Sequence, residues 1–322
     1  MSALATTTTT NNAEEAKPKL SEPIVRRLWA MAHRVVEPRS LGWALRKWSA
    51  FNECVVAYEL REKRIALTID DVPSEVGLME RMLDVLCEHG VRATLFVVEE
   101  FAAEPERREV LRRALAQGHE LANHLVRDES PANYSPAEFS EALERCDRLI
   151  ASLDPGWSEH RPKWYRPPHG FMNEYMKGHL KEKGYVAALA DVFPLDTEVR
   201  SVDWLVDFVK SHVKPGSIVL LHAPDVRDAK NGKHHKRQNN IQVLQQLIPD
   251  LKAMGFEIST LTDLHHAFHR TQQEDQLELL ANPLEDADDD RDDVDALVTL
   301  PDDDLGDVPV NADSNHRTSA LL

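Results

Sequence analysis

Residues 66–74 read Ala-Leu-Thr-Ile-Asp-Asp-Val-Pro-Ser, ALTIDDVPS: a short apolar run, two adjacent aspartates, then a proline. The run has the composition of a buried strand, and two carboxylates at its end are costly unless something compensates their charge. Downstream the pattern recurs. Apolar runs at Ile65–Ile69, Ala93–Val98, Glu120–Asn123, Trp164–Arg166, Tyr185–Leu189, Ser217–Leu221 and Phe256–Ser259 alternate with amphipathic helical stretches. One helix is expected over Ser74–His89, capped by Ser74, with Val76, Met79, Leu83 and Leu86 on one face and Gly90 as its stop. A second opens at the capping box Ser135-Pro136-Ala137-Glu138 and carries Phe139, Leu143, Cys146 and Ile150 on one face. Alternation of this kind predicts an α/β fold of parallel strands with crossover helices, and about seven units predict a closed or nearly closed barrel.

In such a barrel the functional groups gather just past the C-terminal end of each strand. Those positions hold Asp70 and Asp71, His124, Arg166, Asp191 or Asp196, and His222. Each alone has an ordinary explanation as a turn or a core polar group; their recurrence at one place in the repeat points to a site. His124 and Asp128 are four apart, so one helical turn would bring both beside Asp71. An imidazole and two carboxylates suit a divalent cation that keeps positions open for water and substrate. Such a cation also accounts for the aspartate pair: one carboxylate ligates it, and the other is free to act as a base.

The rest of the chain bounds the function more loosely. Of the net charge of −17, residues 273–322 supply −14 through 16 carboxylates and two arginines, so the body is close to neutral and global charge argues neither for nor against an anionic ligand. Residues 1–19 are polar and Thr-rich, and the region from 271 to 322 is acidic; both have disordered composition. Between the lead and a catalytic domain at 59–270 lies a basic arm, 20–58, whose residues 21–48 predict helices and a possible contact with a membrane surface or a protein. Cys54, Cys87 and Cys146 form no paired motif and read as reduced core thiols. The opening lacks a secretion-signal pattern, and no run of about 18 apolar residues suggests a membrane span, which favours a cytoplasmic location.

The ordered motifs from about 60 to 270 resemble those of NodB-type polysaccharide deacetylases, carbohydrate esterase family 4, including its chitin deacetylases. TIDDVP resembles the first motif, GHELANHLVRD the second, RPPHG the third and GSIVLLHAPD the fifth. The resemblance implies a distorted (β/α) barrel and a divalent cation, zinc or else manganese, cobalt or iron. It implies removal of N-acetyl groups from an N-acetylglucosamine-containing carbohydrate such as chitin, and so a carbohydrate rather than a nucleic-acid partner. Asp70 would be general base, Asp71, His124 and Asp128 the ligands, Arg166 the holder of the base, and His222 the acid that protonates the departing amine. Pro168, His169 and Gly170 would line the oxyanion site, and Leu220 the acetyl pocket. Two departures stand out: Asp128 occupies the place of a second histidine, and the fourth motif lacks its Asp-Trp ending. Asp196 is the expected partner of His222, in preference to Asp203. An amidohydrolase of small cyclic amides and an inactive glycan- or protein-binding relative are the competing readings.

Overall fold

The computed structural model describes residues 54–157, 162–227 and 234–281. All seven expected strands form, with ends shifted by up to three residues: β1 Arg64–Val72, β2 Thr94–Val97, β3 Glu120–Asn123, β4 Lys163–Tyr165, β5 Tyr185–Ala187, β6 Ile218–His222 and, after a hairpin of β7 Asp225–Arg227 and β8 His234–Lys236, β9 Glu257–Ser259. The hairpin was not anticipated from the sequence. The main sheet is parallel throughout, in the order β5-β4-β3-β2-β1-β6, with β9 also pairing β1. Its two edges are joined by the segment after β5: Val192 donates to Ile218 O at 3.2 Å and accepts from Leu220 N–H at 2.9 Å. The sheet therefore curls into a distorted (β/α) barrel. β1 is buried at eight of its nine positions, as expected for a central strand covered on both faces.

The helices follow the apolar stripes. Val76–Glu88 buries Met79, Met82, Leu83, Val85 and Leu86. Its cap is Glu75, not Ser74: the Glu75 carboxylate accepts from Leu78 N–H at 3.0 Å, while Ser74 is fully buried. Cys87 lies at the edge of this stripe and is exposed, correcting its reading as a core thiol; Cys54 and Cys146 are buried. The helix Pro136–Leu153 has the predicted capping box, with Ser135 Oγ and the Glu138 carboxylate satisfying each other's backbone N–H groups.

Chain contacts divide the protein into two units, Met1–Glu274 and Asp275–Leu322. Within the second, the described residues are the end of the helix Leu261–Ala281, so chain read from sequence as disordered tail is helical to 281. The basic segment 21–48 and the acidic residues beyond 281 lie outside the described residues. At the end of the expected helical arm, Val55 and Ala57 form β-bridges to Ala188 and Ser217, an extended rather than helical path. Among the described residues no helix is long and apolar enough to cross a membrane.

One glycine ties this extended segment to the barrel. Gly216 has φ +86°, and a Cβ there would sit 1.9 Å from Tyr58 O, whose own N–H donates to Gly216 O at 2.9 Å. Gly216→Ala is expected to lower unfolding free energy by more than about 1 kcal/mol, because both backbone conformation and space exclude a side chain. A chemical-denaturation midpoint equal to the parent's would contradict this packing.

Candidate active site

β1 and β6 run side by side with Asp70 paired in register to His222, so the base and acid candidates end adjacent strands. Asp71 follows with φ +61°. The other described non-glycine residues with positive φ are Leu125, His169 and Leu195, which are next to His124, within the RPPHG turn, and next to Asp196. Such conformations cost about 1–3 kcal/mol each and persist where surrounding structure enforces them. Here all four fall at the end of β1 or on the loops that carry the site.

Asp70 is buried and held by Arg166, whose Nη1 donates to Asp70 Oδ1 at 2.6 Å. Arg166 also donates to Thr68 Oγ1 at 2.9 Å, Ala188 O at 3.0 Å and Leu189 O at 2.9 Å, and stacks over Phe96. A buried guanidinium with its donors so fully used is rigid, and the other Asp70 oxygen stays outside this ion pair, 3.9 Å from His124 Nε2.

On the acid side, His222 Nδ1 and backbone N–H both donate to the fully buried Asp196, each at 2.8 Å. Asn240 Nδ2 donates to the same carboxylate and, at 2.9 Å, to His222 O. Burial alone would lower the pKa of His222, but the Asp196 charge more than offsets it and holds the imidazolium above its ordinary range. Burial likewise would raise Asp196, while His222 and Arg237 bring it below the usual carboxylate value. Asp203 sits in the first turn of the helix Val202–His212 and makes no such contact with His222. Asp191 accepts from Ser217 Oγ and Ile218 N–H at 2.8 and 2.7 Å, and burial pushes it up to about 6, so it serves the barrel wall. Leu220 is half-buried and, two residues before His222, shares its face of the strand.

The three proposed ligands are not equally assembled. His124 Nδ1 lies 2.7 Å from Arg166 O; a carbonyl can only accept, so Nδ1 carries a proton, and in the Nδ1–H tautomer Nε2 presents a lone pair. That Nε2 is 3.8 Å from Asp71 Oδ1, a buried oxygen with no hydrogen-bond partner. A carboxylate oxygen facing the Nε2 lone pair of that tautomer fits a cation between them, since metal bonds of about 2.1 Å to each can span that gap. Asp128, by contrast, is not on a helical turn with His124; the chain between them is a loop with Leu125 at φ +62°. Its Oδ1 lies 3.4 Å from His169 Nε2, a contact that overcomes burial, holds Asp128 well below the usual carboxylate range and raises His169. Among the described residues no group of three His, Cys, Asp or Glu side chains is gathered as a metal site, and Asp71 with His124 is the part that fits. Gly170 and Phe171 N–H groups are used within the RPPHG turn, to Pro167 O and Pro168 O at 3.0 and 3.4 Å.

Three residues of this site have roles that the sequence alone did not disclose, although Asp225 ends the fifth-motif stretch GSIVLLHAPD. Asp225 accepts from Arg237 N–H and Gln238 Nε2, Asn240 braces Asp196, and Arg237 Nη1 donates to Asp71 Oδ2 at 2.8 Å. Arg237 and Asn240 stand at the start of the helix Asn239–Ala253 in a polar run indistinguishable from an ordinary helix entry.

Comparison with known proteins bears on the family and the fold. Residues 57–188 match the family model described as polysaccharide deacetylase. A chitooligosaccharide deacetylase of Bradyrhizobium sp. (strain ANU 289) is 33% identical over 205 residues, 63% of this chain and 91% of that protein. Among solved structures, the peptidoglycan deacetylase PdaC of Bacillus subtilis superposes with TM-score 0.57 at 25% identity, covering 69% of this chain and 98% of its own. A family 4 acetyl xylan esterase of Clostridium thermocellum, solved with a cobalt ion, gives TM-score 0.53 at 27% identity, covering 63% and 90%. With nearly the whole of the Bradyrhizobium relative aligned at that identity and strands in the same barrel, the chain belongs to the polysaccharide deacetylase family, the NodB-type carbohydrate esterases of family 4, and is a hydrolase.

Proposed function

We propose that this protein removes N-acetyl groups from an N-acetylglucosamine-containing oligo- or polysaccharide of the chitin type. The observation that carries the reading is the in-register pair at the barrel mouth: Asp70 fixed by Arg166 on β1, beside His222 fixed by Asp196 on β6. One carboxylate and one imidazolium ending adjacent strands are the base and acid that amide hydrolysis needs.

A divalent cation held by Asp71 and His124, with Asp128 joining if it leaves His169, would polarise the acetyl carbonyl and acidify a water. The chain's own residues do the rest. Asp70 takes a proton from the attacking water, and Arg166 keeps its carboxylate in line. His222, kept protonated by Asp196, gives a proton to the departing nitrogen. The turn carrying His169 supplies a backbone donor to the oxyanion, and Leu220 lines the wall that the acetyl methyl meets. No serine or cysteine nucleophile enters this scheme.

The test is a substrate panel of N-acetylated chitooligosaccharides, acetylxylan and small cyclic amides, following acetate and ammonia. Acetate from the chitooligosaccharides is expected to exceed every other product; ammonia from a cyclic amide without acetate would instead support the amidohydrolase reading.

A further inference from the structure

Arg237 is buried to the same degree as Arg166 but is used differently. Its Nη1 donates to Asp71 Oδ2, while Nε and Nη2 are buried with no hydrogen-bond partner among the described residues. Leaving guanidinium donors unsatisfied in a protein interior is costly, and stability does not explain the choice of residue. The backbone of Arg237 is pinned, because its N–H donates to Asp225 Oδ1 at 2.7 Å and Asp225 is itself buried. The charge is thus fixed against the carboxylate whose other oxygen faces His124.

We propose that Arg237 is a fixed counter-charge to the cation site: a positioning residue that occupies one oxygen of Asp71, leaves only Oδ1 for a divalent cation, and weakens cation binding by like-charge repulsion. The inference rests on the reading that Asp71 and His124 receive a cation. Two features of the site point the same way. Asp71 Oδ2 already accepts a hydrogen bond at 2.8 Å, which disfavours two-oxygen coordination while the contact persists. The guanidinium contacts one oxygen of the same carboxylate whose other oxygen faces His124, in an interior where charges are poorly screened. A site built this way holds its cation loosely and exchanges it readily, unlike one surrounded by carboxylates and imidazoles alone.

The test compares cation affinity of the full-length parent, Arg237→Gln and Arg237→Lys, after exhaustive dialysis against chelator, by competition of Zn²⁺, Co²⁺ and Mn²⁺ with a metal-binding dye. Arg237→Gln keeps a donor for Asp71 and removes the charge, so it is expected to bind each cation at least about tenfold more tightly. Arg237→Lys keeps the charge and is expected to stay within about threefold of the parent. Circular dichroism and a cooperative melt establish that each variant is folded. Equal or weaker binding by folded Arg237→Gln overturns the proposal. If the Gln protein does not fold, the Lys protein decides: binding weakened about tenfold or more would mean that the fork geometry, not the charge, matters. Binding by neither the parent nor Arg237→Gln would overturn the cation reading itself, and this inference with it.

Discussion

Asp70→Asn is expected to lower turnover about 100-fold or more while the protein stays folded and its cation affinity changes little, because the substitution removes the proton acceptor and keeps the shape. The local structure makes this a clean test. Arg166 retains Thr68 Oγ1, Ala188 O and Leu189 O as acceptors, and the asparagine carbonyl can take the place of the carboxylate oxygen, so the guanidinium is not stranded. Asp70→Ala would be less informative, since breaking a buried ion pair by removing one partner costs about 3–5 kcal/mol. Steady-state rates on the best chitooligosaccharide, with a melt and a metal titration on the same sample, check the expectation. Turnover within a few fold of the parent would mean that Asp70 is not the base.

The second large effect belongs to Asp196. Asp196→Asn is expected to cut turnover by about 10²- to 10⁴-fold, because the carboxylate selects the proton-bearing Nδ1 of His222 and stabilises its imidazolium. The pH profile carries the sign. In the parent His222 is held above its ordinary range, so the rate is expected to fall as pH rises through that raised value. Without the Asp196 charge that fall should move to lower pH. Stability moves with it. The raised histidine contributes fully below its ordinary value and loses its contribution as pH rises through the folded value, while the lowered Asp196 loses its contribution in acid. The parent's advantage over Asp196→Asn in thermal melts should therefore shrink at both extremes. A high-pH limb unmoved in the variant would separate His222 from the titrating group.

The barrel was legible in the sequence because parallel strands covered on both faces read as short apolar runs, and each of the seven runs became a strand of the sheet. Site residues at strand ends were legible for a related reason: Asp70, Asp71, His124, Arg166 and His222 interrupt or directly follow apolar runs, where a polar residue is conspicuous. What failed were features set by loops. His124 and Asp128 have helical spacing, yet a left-handed Leu125 sends the chain elsewhere and places Asp128 against His169. The entry to the helix Asn239–Ala253 is polar, so nothing in its composition set Arg237 and Asn240 apart from surface residues. Buried contacts made across more than 150 residues, such as Arg237 with Asp71, leave no local period to detect.

The most direct measurement is the balance of products released from a fully N-acetylated chitotetraose by protein stripped with chelator and then titrated with Co²⁺ or Zn²⁺. The account predicts that acetate and free amine appear in equal amounts, that release stops in the stripped sample, and that it returns as the cation is restored. Acetate release indifferent to chelation would contradict the role given to Asp71 and His124. Saturation with cation and no acetate or amine from any N-acetylated glycan would contradict the deacetylase itself and leave a binding protein built on the same barrel.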